Sequence, residues 1–237
     1  TVNPEVLLER CEDAVQGDDW LFTDGSKIFD KNGKQVWITG VNWFGYNTGT
    51  NIFDGVWNSN LENSLASIAD HGFNFLRIPF SAELINKWAA GIYPTANFNG
   101  ALNPKLSGMN SLEIFDYVVT LCEANGLKIM IDIHSAKTGS MGHMANLWYN
   151  GNITTEKYQE ALVWMAERYA KDDTIIAFDL KNEPHGKPYE QDKAIWNDST
   201  DKNNWKYVAE QTALKVLEKN PNVLIMVEGI EIYPMDI

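Results

Sequence analysis

Ile175-Ile176-Ala177-Phe178-Asp179-Leu180-Lys181-Asn182-Glu183-Pro184 is an apolar run of strand length that ends abruptly in an amide, a carboxylate and a proline. A strand that is apolar at consecutive positions is buried on both faces, as in a parallel sheet covered by helices. Proline cannot donate to a ladder, so Pro184 is expected to stop this strand and leave Asn182 and Glu183 at its C-terminal end.

Four further runs read the same way: WITGVNW (37–43), FNFLRIPF (73–80), KIMIDIH (128–134) and VLIMVEG (223–229). Between the five runs, apolar residues recur at helical spacing near 60–71, 111–125, 155–170 and 204–219, with Asn125-Gly126 and Asn220-Pro221 as stop signals. Upstream, 4–15 reads as a short leading helix with proline at its start. The stretch LFTDGSKIFDKNGKQVWITG reads as a hairpin, because Asp24-Gly25 and Asn32-Gly33 supply the positive φ of tight turns.

Parallel strands joined through helices leave two architectures. A doubly wound sheet carries a glycine-rich phosphate turn after an early strand, and neither GxGxxG nor GxxxxGK[ST] occurs. A β/α barrel instead gathers reactive side chains at the C-terminal ends of its strands. The five runs end in Asn42-Trp43, Arg77, His134, Asn182-Glu183 and Glu228. The reading is therefore α/β, a TIM (β/α)8 barrel, with about five of its eight βα units in one domain over 1–237. An open five-stranded piece would leave two raw sheet edges and an apolar interior. The C-terminal units are therefore expected to be truncated from this chain or supplied as a second fragment of the same polypeptide.

A net charge of -13 and a pI near 4.7 disfavour nucleic acid and anionic membranes as partners. No apolar run reaches the roughly 18–20 residues of a spanning helix, and the start Thr1-Val2-Asn3-Pro4 has no signal character, so the chain reads as soluble and already processed. Nine Trp and nine Tyr offer rings on which the C–H faces of sugars pack, although core burial is the ordinary use of such residues. Cys11 and Cys122 do not make a disulfide framework, and no third or fourth sulfur exists for a Cys-type zinc site. Cys122, inside an apolar helical pattern, reads as a buried free thiol.

Glu183 at a semi-enclosed barrel mouth would have its anion disfavoured, which suits a general acid; the competing reading is a strand-end salt bridge. Asn182 beside it can donate to a substrate hydroxyl. Arg77 can hold a catalytic carboxylate ionised or serve a structural ion pair, and His134 can be a ligand or a hydrogen-bonded structural residue. Asp132, His134 and His143 are the available metal-ligand set. Asp132 should face away from its strand neighbours, and there is no HExxH, so no metal or cofactor is expected. The lack of a GxSxG elbow sets aside a Ser-His-Asp hydrolase.

Taken in order, Asp24-Gly25, Lys34, Thr39-Gly40-Val41-Asn42-Trp43-Phe44-Gly45, Gly72-Phe73-Asn74, Leu76-Arg77-Ile78-Pro79, Ile131-Asp132-Ile133-His134, Asp179-Leu180-Lys181-Asn182-Glu183-Pro184-His185, Asn220-Pro221-Asn222 and Val227-Glu228-Gly229 resemble glycoside hydrolase family 5, the cellulase family. The resemblance implies retaining cleavage of β-glycosidic bonds on an eight-stranded barrel, without cofactor, by a secreted, extracellular enzyme. It implies that Glu183 is the acid/base, that Asn182 contacts the sugar 2-hydroxyl, that Arg77 lies under the nucleophile and that His134 lines a subsite.

Retention requires two carboxyl groups about 5–5.5 Å apart, and the family takes the attacker from strand seven. That strand, the His-x-Tyr of strand six and the Trp of strand eight have no match in the sequence. Glu228 is expected to be a structural or subsite-lining carboxylate rather than the nucleophile, and Glu231 lies beyond the strand end. Trp43, Trp57 and Trp148 are candidate sugar platforms, Trp43 foremost. The expected activity is endo-acting hydrolysis of β-1,4-glucan, a polysaccharide or its oligosaccharides. The alternatives are mannan, xyloglucan or β-1,3-glucan as substrate, or a non-catalytic carbohydrate-binding remnant.

Overall fold

The computed structural model describes residues 19–139, 145–187 and 189–231; the expected leading helix, Cys11 and His143 lie outside them. The expected hairpin pairs β1 (Leu21–Asp24) with β2 (Lys27–Asp30), Asp24 facing Lys27. Its two-residue link contains Gly25 at φ +56, in the left-handed region that L side chains avoid. Gly33, at φ +76, turns the chain back so that Gln35 bridges Phe29.

Five strands follow: β3 (Gly40–Asn42), β4 (Phe75–Ser81), β5 (Lys128–Ser135), β6 (Ile175–Asp179) and β7 (Leu224–Met226). They pair in the order β3-β4-β5-β6-β7, every pair parallel. A doubly wound sheet reverses its order at a switch point; this one never does, so crossovers of one hand lay all their helices on one face. Those helices are α1 (Leu61–Asp70), α2 (Ala82–Ala89), α3 (Ser111–Ala124), α4 (Thr155–Arg168) and α5 (Trp205–Lys219). Helix α1 packs on α3, α2 on α4, and α4 on α5.

Alternation along the strands separates two chemistries. Leu76, Ile78 and Phe80 of β4, Ile129, Ile131 and Ile133 of β5, and Ile176 and Phe178 of β6 are buried. The other set is in register across the sheet, as a row of Asn42, Arg77, Met130, Ala177 and Leu224 and a second row of Pro79, Asp132, Asp179 and Met226. Charged groups thus occupy one face of a sheet whose other face is apolar. A cluster of buried rings completes the core near the C-terminal ends, with Tyr46 against Phe80 at 4.9 Å and Phe80 against Phe115 at 5.1 Å. Cys122 of α3 is a buried free thiol, and burial pushes its pKa up to about 12, leaving it protonated and unreactive.

Several strand boundaries and one helix differ from the sequence reading. Strand β3 is short, with Trp37 outside it and 75% exposed. Strand β6 ends at Asp179 rather than at Pro184. Leu180 and Asn182 still donate ladder-type bonds to Met226 O (3.1 Å) and Ile133 O (3.0 Å), and the chain then turns at Glu183, whose φ is +45. The backbone of the glutamate, not the proline after it, ends the extended segment. Helix α2 was not legible because Ser81 is both the last residue of β4 and the N-cap, its Oγ accepting from Leu84 N at 3.1 Å. Strand passes into helix with no intervening turn residue.

Candidate active site

Arg77 stands at the centre of the charged face. Its Nε and Nη2 both donate to Asp179 Oδ2, at 3.0 and 2.7 Å, and Nη1 pairs with Asp132 Oδ2 at 3.1 Å. Nη2 also reaches Asn182 Oδ1 at 3.0 Å and Glu228 Oε1 at 3.1 Å. With Nη1 also reaching Asn42 Oδ1 at 3.5 Å, one guanidinium serves three carboxylates and two amides, using the forked donor geometry that an ammonium lacks. Asp132 and Asp179 are register partners on adjacent strands and nearly wholly buried. Burial foremost, and then the Asp132 charge, push the Asp179 carboxyl well above its ordinary range while Arg77 opposes them.

His134 Nδ1 lies 2.7 Å from Asp132 Oδ2. This corrects the expectation that the alternation of side chains would set these two apart. Asp132 does face away from Ile131 and Ile133, but His134 is two positions on and so shares its face. The same Oδ2 meets both Arg77 and His134, so this oxygen of the aspartate orients the imidazole.

Lys181 is fully buried, its Nζ donating to the main-chain carbonyls of Ala145 (2.8 Å), His134 (3.4 Å) and Asn182. Burial lowers its pKa to about 8. Sequence reasoning passed over this lysine and Asp179 as partners of the site. Their signal was a charged residue inside a run otherwise buried on both faces, which is tolerated only when paired.

Asn182 is buried, with Oδ1 held by Arg77, while its Nδ2 has no hydrogen-bond partner among the described residues. Glu183 is partly buried, and its carboxylate enters none of the ion pairs among the described residues, which disfavours the salt-bridge reading. Its peptide N–H donates to Glu228 Oε2 at 2.8 Å. Glu228 thus joins Arg77 to the acid/base candidate, matching the expected structural carboxylate. The N–H of Glu231 donates to Pro184 O at 2.9 Å.

Among the tryptophans, Trp43 is partly exposed, its ring stacked on Phe53 at 4.2 Å and 13° with Nε1 donating to Asp54 O at 2.9 Å. Trp57 is 54% exposed. Trp148 is not a platform: it is fully buried, packs on Trp205 at 4.9 Å and donates to Thr155 Oγ1 at 3.2 Å. Its apolar neighbours draw the loop ring inward, as ring burial ordinarily does.

The family profile Cellulase (glycosyl hydrolase family 5) matches residues 29–233. Endoglucanase B of Acetivibrio thermocellus is 47% identical over 227 residues, covering 94% of this chain and 40% of that protein. Endoglucanase G of the same organism is 46% identical over 242 residues, covering 92% of this chain and 43% of that protein. The chain therefore spans less than half the length of both relatives. The cellotetraose complex of an endocellulase from Pyrococcus horikoshii superposes with a TM-score of 0.79 at 27% identity, over 92% of this chain and 59% of the other. The unreversed sheet is accordingly a five-stranded part of a TIM barrel, with Arg77, His134, Asn182 and Glu183 along it in the order the motifs anticipate. The chain belongs to glycosyl hydrolase family 5.

Proposed function

We propose that these residues form the larger part of a catalytic domain that cuts β-1,4-glucan internally with retention of configuration. The observation that carries this reading is the pair at the end of β6. Asn182 offers a buried amide donor with no partner among the described residues, beside a glutamate that is in none of their ion pairs. That combination suits a site that binds a sugar hydroxyl and passes a proton. Names and ligands of the relatives, endoglucanases and a cellotetraose complex, agree with a glucan substrate.

In the proposed reaction Glu183 protonates the departing glycosidic oxygen while a second carboxylate, from a later strand outside these residues, attacks the anomeric carbon. Glu183 then takes a proton from the water that releases the glycosyl-enzyme. Arg77 favours the ionised form of the attacking carboxylate, Asn182 binds the 2-hydroxyl, and His134, oriented by Asp132, lines the adjoining subsite. Trp43 and Trp57 are the sugar platforms. The polysaccharide is met outside the cell, so the enzyme works as a secreted protein. No helix among the described residues is long and apolar enough to cross a membrane.

The test uses the full-length protein. Reducing-sugar release is expected from carboxymethyl cellulose in preference to mannan, and the first product observed by NMR is expected to be the β-anomer. Glu183→Gln is expected to lower turnover of cellulose substrates by roughly 10²–10⁴, with a smaller loss on substrates bearing good leaving groups. Activity confined to mannan would overturn the substrate, and equal losses for both leaving-group classes would remove Glu183 from the acid role.

A further inference from the structure

Between β6 and β7 the ladder runs normally as far as Leu180 N to Met226 O. Glu183 then adopts φ +45, which turns the chain that follows its N–H out of the extended line. The carboxylate of Glu228 fills that position, Oε2 accepting the N–H at 2.8 Å, and the main chain resumes its contact with Glu231 N to Pro184 O at 2.9 Å. A side chain thus replaces a backbone acceptor at the one rung where the chain bears the proposed proton donor.

Glu228 is itself held from two sides. Its carbonyl accepts from Trp205 Nε1 at 2.8 Å, and Trp205 is fully buried against Trp148. Its other oxygen pairs with Arg77 Nη2 at 3.1 Å. Charge-assisted bonds of this kind are stronger and more directional than neutral ones. A left-handed conformation at a non-glycine residue persists only when its surroundings over-determine it. The direction of the Glu183 side chain follows from that backbone conformation.

We propose that Glu228 is a positioning residue for the acid/base, holding the peptide N–H of Glu183 in its left-handed turn and so aiming the Glu183 carboxyl at the leaving-group oxygen. This rests on the reading of Glu183 as proton donor. Glu228 contributes no proton and no nucleophile; both of its oxygens are engaged by neighbours.

The experiment measures kcat and KM for the full-length enzyme and for Glu228→Leu, Glu228→Gln and Glu183→Gln on aryl cellobiosides with poor and with activated phenol leaving groups. Glu228→Leu is expected to lose roughly 10²-fold in kcat on the poor leaving group, the lower end of what a positioned donor supplies. In kcat/KM, which reports the acid-assisted step alone, it is expected to lose far less on the activated one. Glu228→Gln keeps one acceptor for the Glu183 N–H but turns its amide NH2 toward Arg77, donor against donor, and is expected to recover only part of the loss.

Equal losses on both substrates, or a rise in KM alone, with Glu183→Gln still discriminating between leaving groups, would overturn the role of Glu228 and leave Glu183 as donor. A Glu183→Gln variant that does not discriminate would overturn the parent reading and this one with it. Should Glu228→Leu fail to fold, Glu228→Asp carries the same expectation. It keeps a charge for Arg77 but is one methylene too short for the Glu183 N–H, and undiminished turnover of both substrates by Glu228→Asp would sink the proposal.

Discussion

Arg77 balances carboxylates that would otherwise repel one another inside a sheet. Removing it leaves the buried Asp132–Asp179 pair without its counter-ion, so Arg77→Met is expected to cost about 3–5 kcal/mol by urea unfolding. Arg77→Lys should recover little of this, because a single ammonium cannot replace donors directed at Asp179, Asp132 and Glu228 together. Asp179 gives a prediction with a definite sign. Its carboxyl, pushed up to about 8, is protonated in the folded chain where the unfolded chain has already released the proton. Its stabilising contribution is full below the unfolded value near 4 and is lost as pH rises from there through 8. The urea midpoint of Asp179→Asn is therefore expected to fall less than that of the parent protein between pH 5 and pH 8. Lys181, lowered to about 8, acts with the opposite slope above that pH, where the unfolded chain keeps a proton the folded one has released. At this scale the polar ends of apolar runs were legible: Arg77, His134, Asn182 and Glu183 all lie along the charged face or at its end. The contact between Asp132 and His134 was misread, because the two-residue period of a strand was applied to adjacent positions rather than to alternate ones.

Turns and caps decide how these residues are presented. Gly45 follows Trp43 and Phe44 at φ +142, and a Cβ there would fall 2.0 Å from Ile52 O and 2.6 Å from Asp54 N. Gly45→Ala must move backbone atoms, so a loss of ~3 kcal/mol or more is expected in thermal unfolding, at the severe end for one substitution. The displacement would reach Trp43 through its bond to Asp54 O. Helix α3 opens with a full capping box, Asn110 Oδ1 accepting from Glu113 N at 3.0 Å and Glu113 Oε2 from Asn110 N at 2.8 Å. Asn110→Ala is expected to cost about 1 kcal/mol, measured as a shift in the denaturant midpoint. Four helices were readable because their apolar period runs ten residues or more. Helix α2 has eight residues and shares Ser81 with the preceding strand, so neither period nor boundary marked it.

The whole sheet explains why burial is uneven. Strands β4 to β6 are covered on their helix side and largely buried, whereas Gly40 and Asn42 of the terminal strand β3 are exposed and Val227, just past β7, is 45% exposed. In a closed barrel both ends would pair with further strands, and a sheet that ends in bare edges is prone to associate with other chains. Residues 19–231 expressed alone are therefore expected to bind a hydrophobic dye and to unfold broadly. Joining or adding the remaining βα units should give a single sharp transition, followed by circular dichroism. The sequence by itself determined the alternation of strands and helices, and with it a parallel sheet, because consecutive apolar positions demand cover on both faces. It also determined the rejection of a nucleotide fold, because no glycine-rich phosphate turn follows an early strand, and it placed Glu183 at a strand end, where acid and salt bridge were equally open until the family motifs were read. Only the tertiary structure decided that Asp132, Asp179 and Glu228 share one arginine, that Trp148 is core, and that a glutamate far along the chain holds the backbone of Glu183. Each of these depends on register between strands and on one residue's φ, quantities set by packing across the sheet rather than by any local pattern.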